Sequence, residues 1–254
     1  MDSTRKTPVR IEVCANSVAS ALAAQAGGAA RVELCSALAE GGLTPSAAAI
    51  ELAREQLRIG LHVLIRPRSG DFCYDDSELA VMKRDIEFCK QAGADGIVIG
   101  VLRPDGSVDV ERMRELIATA RPVSVTFHRA FDMTADAFRA LDDVLALGAE
   151  RLLTSGKHGS AVEGKELIAE LVRRAGDRLV VMPGAGVKEG NVRELIATTG
   201  AREIHLSGQK KVASRMNYRN HHVFMGVPGL SEYEIGVTDA EKIRRVVEAA
   251  NEPA

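Results

Sequence analysis

The sequence Arg10-Ile11-Glu12-Val13-Cys14 recurs almost letter for letter as Arg31-Val32-Glu33-Leu34-Cys35. Each copy alternates apolar and polar side chains with a period of two residues, which predicts a β-strand with two different faces. Between the copies, an Ala-rich run begins at Ser17 and stops at two glycines, as a short helix does. Together they predict a parallel strand–helix–strand unit in which the two Glu/Cys pairs lie side by side, about 5 Å apart.

The same alternation of strand and helix continues to the end of the chain. Further strands are predicted at residues 61–65, 96–100, 122–127, 151–153, 179–182 and 203–206. Helices are predicted at residues 44–57, 77–91, 110–120, 135–147, 162–174, 191–198 and 239–250, the first of these capped by Thr44 with Pro45 in its first turn. A doubly wound open sheet is the alternative, but eight units favour an α/β fold of the (β/α)₈ TIM-barrel type.

No low-complexity linker divides the chain, so we expect one domain over residues 1–254, with residues 1–8 as an N-terminal tail. The segment at residues 207–237 is too long for a simple loop after the eighth strand. Its large apolar residues favour a segment that folds over one side of the barrel mouth or contacts another subunit; they are Met216, Tyr218, Phe224, Met225, Leu230 and Tyr233.

Composition restricts the partners and the compartment. A net charge of -2 gives no reason to expect nucleic acid or an acidic membrane surface as a partner. No run approaches the ~20 apolar residues of a membrane span, and the first residues lack the apolar centre of a signal peptide. Four cysteines in 254 residues do not form a disulfide scaffold. These features predict a cytoplasmic protein with reduced thiols.

Active sites of such barrels lie at the C-terminal ends of the strands. If the apolar face of each strand packs on the helices, the side chains that point inward are unusually polar for a barrel interior: Glu12, Cys14, Glu33, Cys35, His62, Arg66, Thr126, His128 and His205. A self-satisfied polar core is the alternative for any one of them. The clustering of the whole set near the strand ends favours a functional pocket.

Two chemistries suit this mouth. Cys14 and Cys35, at matching ends of adjacent strands, are candidate ligands for a soft ion such as Cu(I), although a buried cysteine is more often a small apolar residue. Glycine-containing loops after strands six, seven and eight are candidate anion-binding sites or ordinary tight turns; their residues are Ser155, Gly156, Gly184, Gly186, Ser207 and Gly208.

Charged side chains complete the second possibility. Arg66 and Arg129 are suited to forked contacts with a carboxylate or a phosphate. If the site is catalytic, Glu12 or Glu33 would move a proton, and His128 would serve as an acid or an electrophile. No nucleophile–base pair is recognisable in the sequence.

Several long motifs resemble the CutC family over essentially the whole chain: residues 12–17, 31–35, 40–45, 65–68, 70–72, 126–132, 153–156, 182–186, 218–220 and 237–239. The resemblance implies a TIM barrel, a cytoplasmic location and association into homodimers or higher homo-oligomers. It also implies a role in copper homeostasis, with Cys14 and Cys35 as the Cu(I) ligands. Two hypotheses therefore stand: a copper homeostasis protein, or an enzyme of unassigned reaction acting on a small anionic (phosphorylated) metabolite.

Overall fold

The computed structural model describes residues 8–223, 225 and 231–252. Eight strands form one parallel sheet: β1 (Arg10–Ala15), β2 (Arg31–Leu34), β3 (Gly60–Leu64), β4 (Gly96–Ile99), β5 (Ser124–Phe127), β6 (Arg151–Thr154), β7 (Val180–Pro183) and β8 (Glu203–Leu206). The helices are α1 (Val18–Ala26), α2 (Ala47–Gln56), α3 (Asp76–Gln91), α4 (Val110–Ala120), α5 (Ala137–Leu147), α6 (Lys165–Ala175), α7 (Glu189–Thr199) and α8 (Ala240–Asn251).

The strand order is that of a barrel. The sheet runs β7-β6-β5-β4-β3-β2-β1-β8, so each strand pairs with its neighbour in sequence and β1 also pairs with β8. Strands β7 and β8 lie against each other, which brings the two ends of the sheet together. The predicted (β/α)₈ barrel is confirmed, because an open doubly wound sheet reverses its strand order and leaves two separated edges.

The hydrophobic core lies between the strands and the ring of helices. Its members are the outward side chains of the strands and the buried faces of the helices, such as Val13, Leu34, Ile97 and Ile168. The Ala-rich α1 begins after Ser17, whose hydroxyl accepts a hydrogen bond from the Ser20 N–H. Packing the apolar faces outward directs the alternate, polar side chains into the barrel.

Two local predictions need correction. Helix α2 is capped by Ser46 and not by Thr44, because the Thr44 hydroxyl accepts the Arg66 backbone N–H at 2.9 Å instead. The two Glu/Cys pairs are offset along their strands: Cys14 lies opposite Glu33, and Glu12 lies opposite Arg31. The offset arises from the shear that closes a barrel, which a comparison of two sequence repeats does not reveal.

The long segment after β8 contains an antiparallel hairpin of β9 (Gln209–Ala213) and β10 (Glu234–Thr238). The hairpin is anchored beside α1, where the Asn16 side chain donates to the Gly236 carbonyl at 3.3 Å. Met216, Tyr218 and Met225 are exposed. Residues 1–7 of the predicted tail, together with Phe224 and Leu230, lie outside the described residues. Among the described residues, no helix is both long and apolar enough to cross a lipid bilayer.

Candidate functional site

A cavity of about 350 Å³ opens at the C-terminal ends of the barrel strands. The titratable side chains in its wall are Cys14, Glu33, Arg66, His128, Arg129 and His205. The loops after β7 and β8 complete the wall with Ala185, Gly186, Val187 and Ser207. Of the predicted set, the structure brings together on one concave surface Cys14, Glu33, Arg66, His128, Arg129, Gly186, His205 and Ser207. The predicted residues that are not part of this wall are Glu12, Cys35, His62, Thr126, Ser155, Gly156, Gly184 and Gly208.

Glu12 lies beneath the cavity, in a buried network of charges. Its carboxylate accepts hydrogen bonds from the Arg31 guanidinium and from His205 Nδ1, the latter at 2.7 Å. Burial alone would raise the pKa of Glu12, but the positive charge of Arg31 and the contact with His205 hold that pKa far below its ordinary value. Glu12 is therefore an ionised carboxylate that fixes its neighbours.

His205 connects this network to the cavity. Because Glu12 accepts from Nδ1, Nε2 faces the opposite way and lies 3.9 Å from the Glu33 carboxylate. Burial lowers the pKa of His205, but the negative charges of Glu33 and Glu12 outweigh burial and raise that pKa. The Glu12 contact thus sets both the orientation and the basicity of the imidazole.

Glu33 is the carboxylate that borders the cavity itself. Burial, reinforced by repulsion from Glu12, raises its pKa despite the opposing attraction of His205. The pKa values of Glu33 and His205 are both shifted upward, so the pair holds a proton more readily than either group does in water. Such a pair can donate or accept a proton from a bound molecule.

The two cysteines of the repeated motif meet although their strands are offset. Cys14 Sγ lies 3.5 Å from Cys35 Sγ, and both pack with Leu64 and Val98 in the upper layer of the barrel. Only Cys14 borders the cavity, with Cys35 behind it. The hydrogen bond with Cys35, followed by burial and the nearby Glu33, raises the pKa of the Cys14 thiol well above its ordinary value.

Metal-binding atoms are arranged in two overlapping ways. The Cys14–Cys35 pair presents two sulfur atoms, which suit a soft monovalent ion. Within the described residues, a potential ligand group with mixed donors comprises Cys14, Glu33 and His205, whose ligand atoms lie within 4.8 Å of one another. Sulfur, nitrogen and oxygen together suit Zn²⁺, with Glu12 orienting the histidine from behind.

Arg66 brings a positive charge to the wall without a matching carboxylate among the described residues. Its guanidinium donates to the carbonyl oxygens of Glu40, Gly42 and Gly70 at 2.8–2.9 Å, which ties together the loops after β2 and β3. The guanidinium carbon also lies 5.1 Å from the centre of the Phe72 ring. The residue therefore shapes the mouth and leaves a buried cation uncompensated.

The predicted anion loops divide into two groups. After β6, the N–H groups of Ser155 and Lys157 donate to Asp132, which also pairs with Arg129 at 2.8 Å. These amides are therefore engaged within the protein, and the Gly156 N–H donates to the Thr154 hydroxyl. The Gly184 N–H likewise donates to the Thr154 carbonyl.

The loops after β7 and β8 are open. The backbone N–H groups of Ala185, Gly186, Val187 and Ser207 donate to no residue in the described part of the chain. Ala185 and Gly186 both have positive φ, at 77° and 70°, which turns the loop around the edge of the cavity. Unengaged N–H groups in consecutive positions form a concavity that suits an anion.

Comparison with known proteins agrees with this description. A profile of the CutC family matches residues 9–210. A CutC family protein of Chromobacterium violaceum is 52% identical over 239 residues, which cover 94% of this chain and 97% of the relative. The chain belongs to the CutC family. A human copper homeostasis protein cutC homolog is 48% identical to this CutC chain over 235 residues, covering 92% of this chain and 86% of the relative.

The fold comparison extends to a solved CutC structure. The crystal structure of CutC from Streptococcus agalactiae has a TM-score of 0.75 and 32% sequence identity, and the match covers 78% of this chain and 98% of that one. The predicted family and fold are therefore both confirmed for this CutC chain.

Three residues that organise the site in this CutC protein are absent from the sequence prediction. Arg31 and Glu203 lie below the cavity, and Asp132 anchors the loop after β6. For Arg31 and Glu203 the signal was present, because each stands two residues before a predicted inward residue and shares its face. For Asp132 the contacts depend on the loop conformation, which the sequence pattern does not give.

Proposed function

We propose that the protein is an enzyme that transfers protons on a small anionic metabolite bound at the barrel mouth. The observation that carries the proposal is the series of contacts Glu12–His205–Glu33, at 2.7 and 3.9 Å, ending at the cavity. An ionised carboxylate behind an imidazole fixes its tautomer and makes the far nitrogen basic. The pKa values of Glu33 and His205 are both raised, and both residues border the cavity, a combination that is typical of functional sites.

The mechanism uses His205 and Glu33 as one proton-exchanging unit. Glu12 accepts the Nδ1–H of His205, so that Nε2 takes up or releases the mobile proton. Glu33 exchanges a proton with the substrate on its cavity side. His205 Nε2 then takes a proton from Glu33 or returns one to it. The raised pKa of Glu33 lies closer to neutral pH than that of an ordinary carboxyl group. General acid–base catalysis is most effective when the pKa of the catalytic group is near the working pH.

The charge and size of the cavity support a small anionic substrate. Arg66 contributes positive charge to the wall, Arg129 is a second cation there that already pairs with Asp132, and the unengaged amides of the β7 and β8 loops lie on the same cavity. A volume of about 350 Å³ suits a metabolite with a carboxylate or phosphate group. The cations would orient the anionic end while the Glu33–His205 pair reaches a carbon-bound or oxygen-bound proton.

Solvent deuterium exchange tests this proposal without knowledge of the product. The protein is incubated in D₂O with a panel of 2-oxo acids and sugar phosphates, and loss of carbon-bound proton signals is followed by ¹H NMR. We expect exchange on at least one compound, with Glu33→Gln slowing it by about 10²-fold or more. Glu51→Gln, a change on the exposed face of α2, is the matched control. Exchange on no compound, or exchange at the wild-type rate in Glu33→Gln, would contradict the proposal.

A second candidate function is Cu(I) binding in copper homeostasis, and the 3.5 Å distance between the two sulfur atoms favours it. The donor set fits a soft ion, and the human relative carries copper homeostasis in its name. Binding would displace the thiol proton that the raised pKa of Cys14 retains, so Cu(I) uptake would release protons. In this role, Cys14 and Cys35 hold the ion as cargo in the cytoplasm, and the protein acts as a homo-oligomer.

Competition against a Cu(I) chelator tests the second candidate. We expect the double change Cys14→Ser/Cys35→Ser to weaken Cu(I) affinity by at least tenfold, whereas Cys73→Ser in the loop after β3 leaves it unchanged. Equal affinities in all three proteins would exclude the thiol pair as the ligand. The acid–base proposal ranks first because the copper role uses neither the arginines nor most of the cavity.

A further inference from the structure

His128 presents a fixed hydrogen-bond donor at the barrel mouth. Its Nδ1 accepts the Ala130 backbone N–H at 3.2 Å, so Nδ1 carries no proton and the proton of the neutral ring resides on Nε2. Burial, followed by repulsion from the Arg66 cation, lowers the pKa of His128 to about 3, against the opposing effects of a backbone hydrogen bond and of Asp132. The ring is therefore neutral near pH 7, with its Nε2–H available as a hydrogen-bond donor.

The Nε2–H of His128 has no acceptor in the described part of the chain, although the atom is fully buried. The residue borders the cavity. Buried donors are nearly always hydrogen bonded in folded proteins, so an unpaired one at a cavity points to a missing acceptor.

The surroundings of His128 are shaped to hold the ring in place. The Phe72 ring contacts both groups, with its centre 5.0 Å from that of the His128 ring and 5.1 Å from the Arg66 guanidinium carbon. A Cβ atom at Gly100 would lie 2.6 Å from Nδ1 and Cε1 of His128, so only glycine leaves room for the imidazole there. The arrangement packs a neutral donor and a cation against the same aromatic ring.

We infer that His128 Nε2–H and Arg66 together bind a negatively charged oxygen atom of the substrate, which belongs to a carboxylate or a phosphate. His128 follows β5, which lies across the barrel from β1. His205 and Glu33 are on β8 and β2, the two strands that flank β1. The inference rests on the proposed function, in which Glu33 and His205 transfer the proton. His128 and Arg66, on the other side of the cavity, would bind the oxyanion. A donor that is neutral near pH 7 stabilises negative charge without losing its proton to it.

Titration calorimetry with two probes, oxalate and inorganic phosphate, tests the inference. We expect the wild-type protein to bind one of them, and the stronger of the two identifies the substrate group as a carboxylate or a phosphate. His128→Phe keeps a ring beside Phe72 but removes the donor, and should weaken that binding by about 10- to 100-fold. His128→Gln, which returns an N–H near the Nε2 position, should recover part of the loss. His158→Phe, at an exposed histidine outside the cavity, is the control and should bind like the wild type.

Two measurements remain decisive if His128→Phe fails to fold. Gly100→Ala displaces the imidazole without removing it and should also weaken binding of the probe. In the wild-type protein, ¹⁵N-histidine NMR should show the Nε2–H tautomer for His128, and its Nε2 signal should move when the probe is added. Binding of neither probe to the wild type, equal affinity in His128→Phe, or an Nδ1–H tautomer would overturn the inference. Glu33→Gln separates the proposals, since it should lose deuterium exchange and keep oxyanion binding.

Discussion

The barrel interior of this CutC protein contains buried polar groups at two levels: a lower level beneath the cavity and an upper level that borders it. The two levels differ in whether their charged groups have partners of opposite charge. At the lower level, Arg31 pairs with both Glu12 and Glu203, and Arg151 donates to Glu203 at 2.9 Å. At the upper level, the Arg66 guanidinium donates to carbonyl oxygens and pairs with no carboxylate, and the His128 Nε2–H has no acceptor, within the described part of the chain. Arg31 and Arg151 are thus paired with carboxylates at the lower level, whereas the described residues offer Arg66 none at the upper level.

The comparison separates structural from functional polar residues. Buried ions that complete one another's charge and hydrogen bonds need nothing further, and they maintain the shape of the barrel. Buried donors and cations that border a cavity and lack an acceptor are complete only when a ligand is present. His205 belongs to both levels, because one nitrogen contacts Glu12 and the other faces Glu33.

The largest effect is expected from breaking the lower level. Arg31→Met leaves Glu12 and Glu203 buried with one cation fewer, and should lower the free energy of unfolding by about 3–5 kcal/mol. Urea denaturation measures the change. Arg245→Met, which breaks an exposed pair with Glu189, is the control and should cost no more than about 1 kcal/mol. A loss below about 1 kcal/mol in Arg31→Met would mean that the lower level is not a structural unit.

The sequence predicted the fold because its signals are local and repeated. Period-two alternation identified the inward faces of β1 and β2, and all of the predicted inward residues are buried in the structure. The same alternation also places Arg31 on the same face of β2 as Glu33. It does not show that Arg31 forms an ion pair with Glu12 on β1. That pairing depends on the register of β1 against β2, which is a property of the closed barrel.

The site was predictable as a set of residues and not as a set of roles. Glu12 and Glu33 occupy equivalent positions in the two repeats, yet one is ionised beside Arg31 and the other has a raised pKa at the cavity. Likewise, the loops after β6 and β7 both contain glycines, but Asp132 accepts hydrogen bonds from backbone N–H groups of the β6 loop and not from those of the β7 loop. These differences come from partners distant in sequence, which no local pattern specifies.

A medium effect is expected from the protonation of His128, which should make the free energy of unfolding depend on pH. His128 has a pKa of about 3 when folded against 6.5 as its ordinary value, so its neutral form contributes stability that is fully present above pH 6.5 and lost as pH falls toward 3. Between pH 6.5 and 4.5 this contribution falls by roughly 2 kcal/mol. His128→Phe should remove that part of the slope in urea titrations, while His158→Phe should retain it. An unchanged slope in His128→Phe would show that the ring is not held neutral.

The smallest effect, and the one opposite in sign, is expected at Glu33. Burial raises its folded pKa, so its protonated form is favoured on folding, and the stability it contributes is lost as pH rises through that pKa. Glu33→Gln removes the ionisation and supplies an N–H toward His205 Nε2, so it should stabilise the protein by about 1 kcal/mol at pH 8 and by less at pH 5. Thermal unfolding at the two pH values, beside Glu51→Gln, measures the difference. Stabilisation combined with loss of deuterium exchange would mark Glu33 as a residue kept for chemistry at the expense of stability. Destabilisation as large as that of Arg31→Met would instead place Glu33 with the structural charges of the lower level.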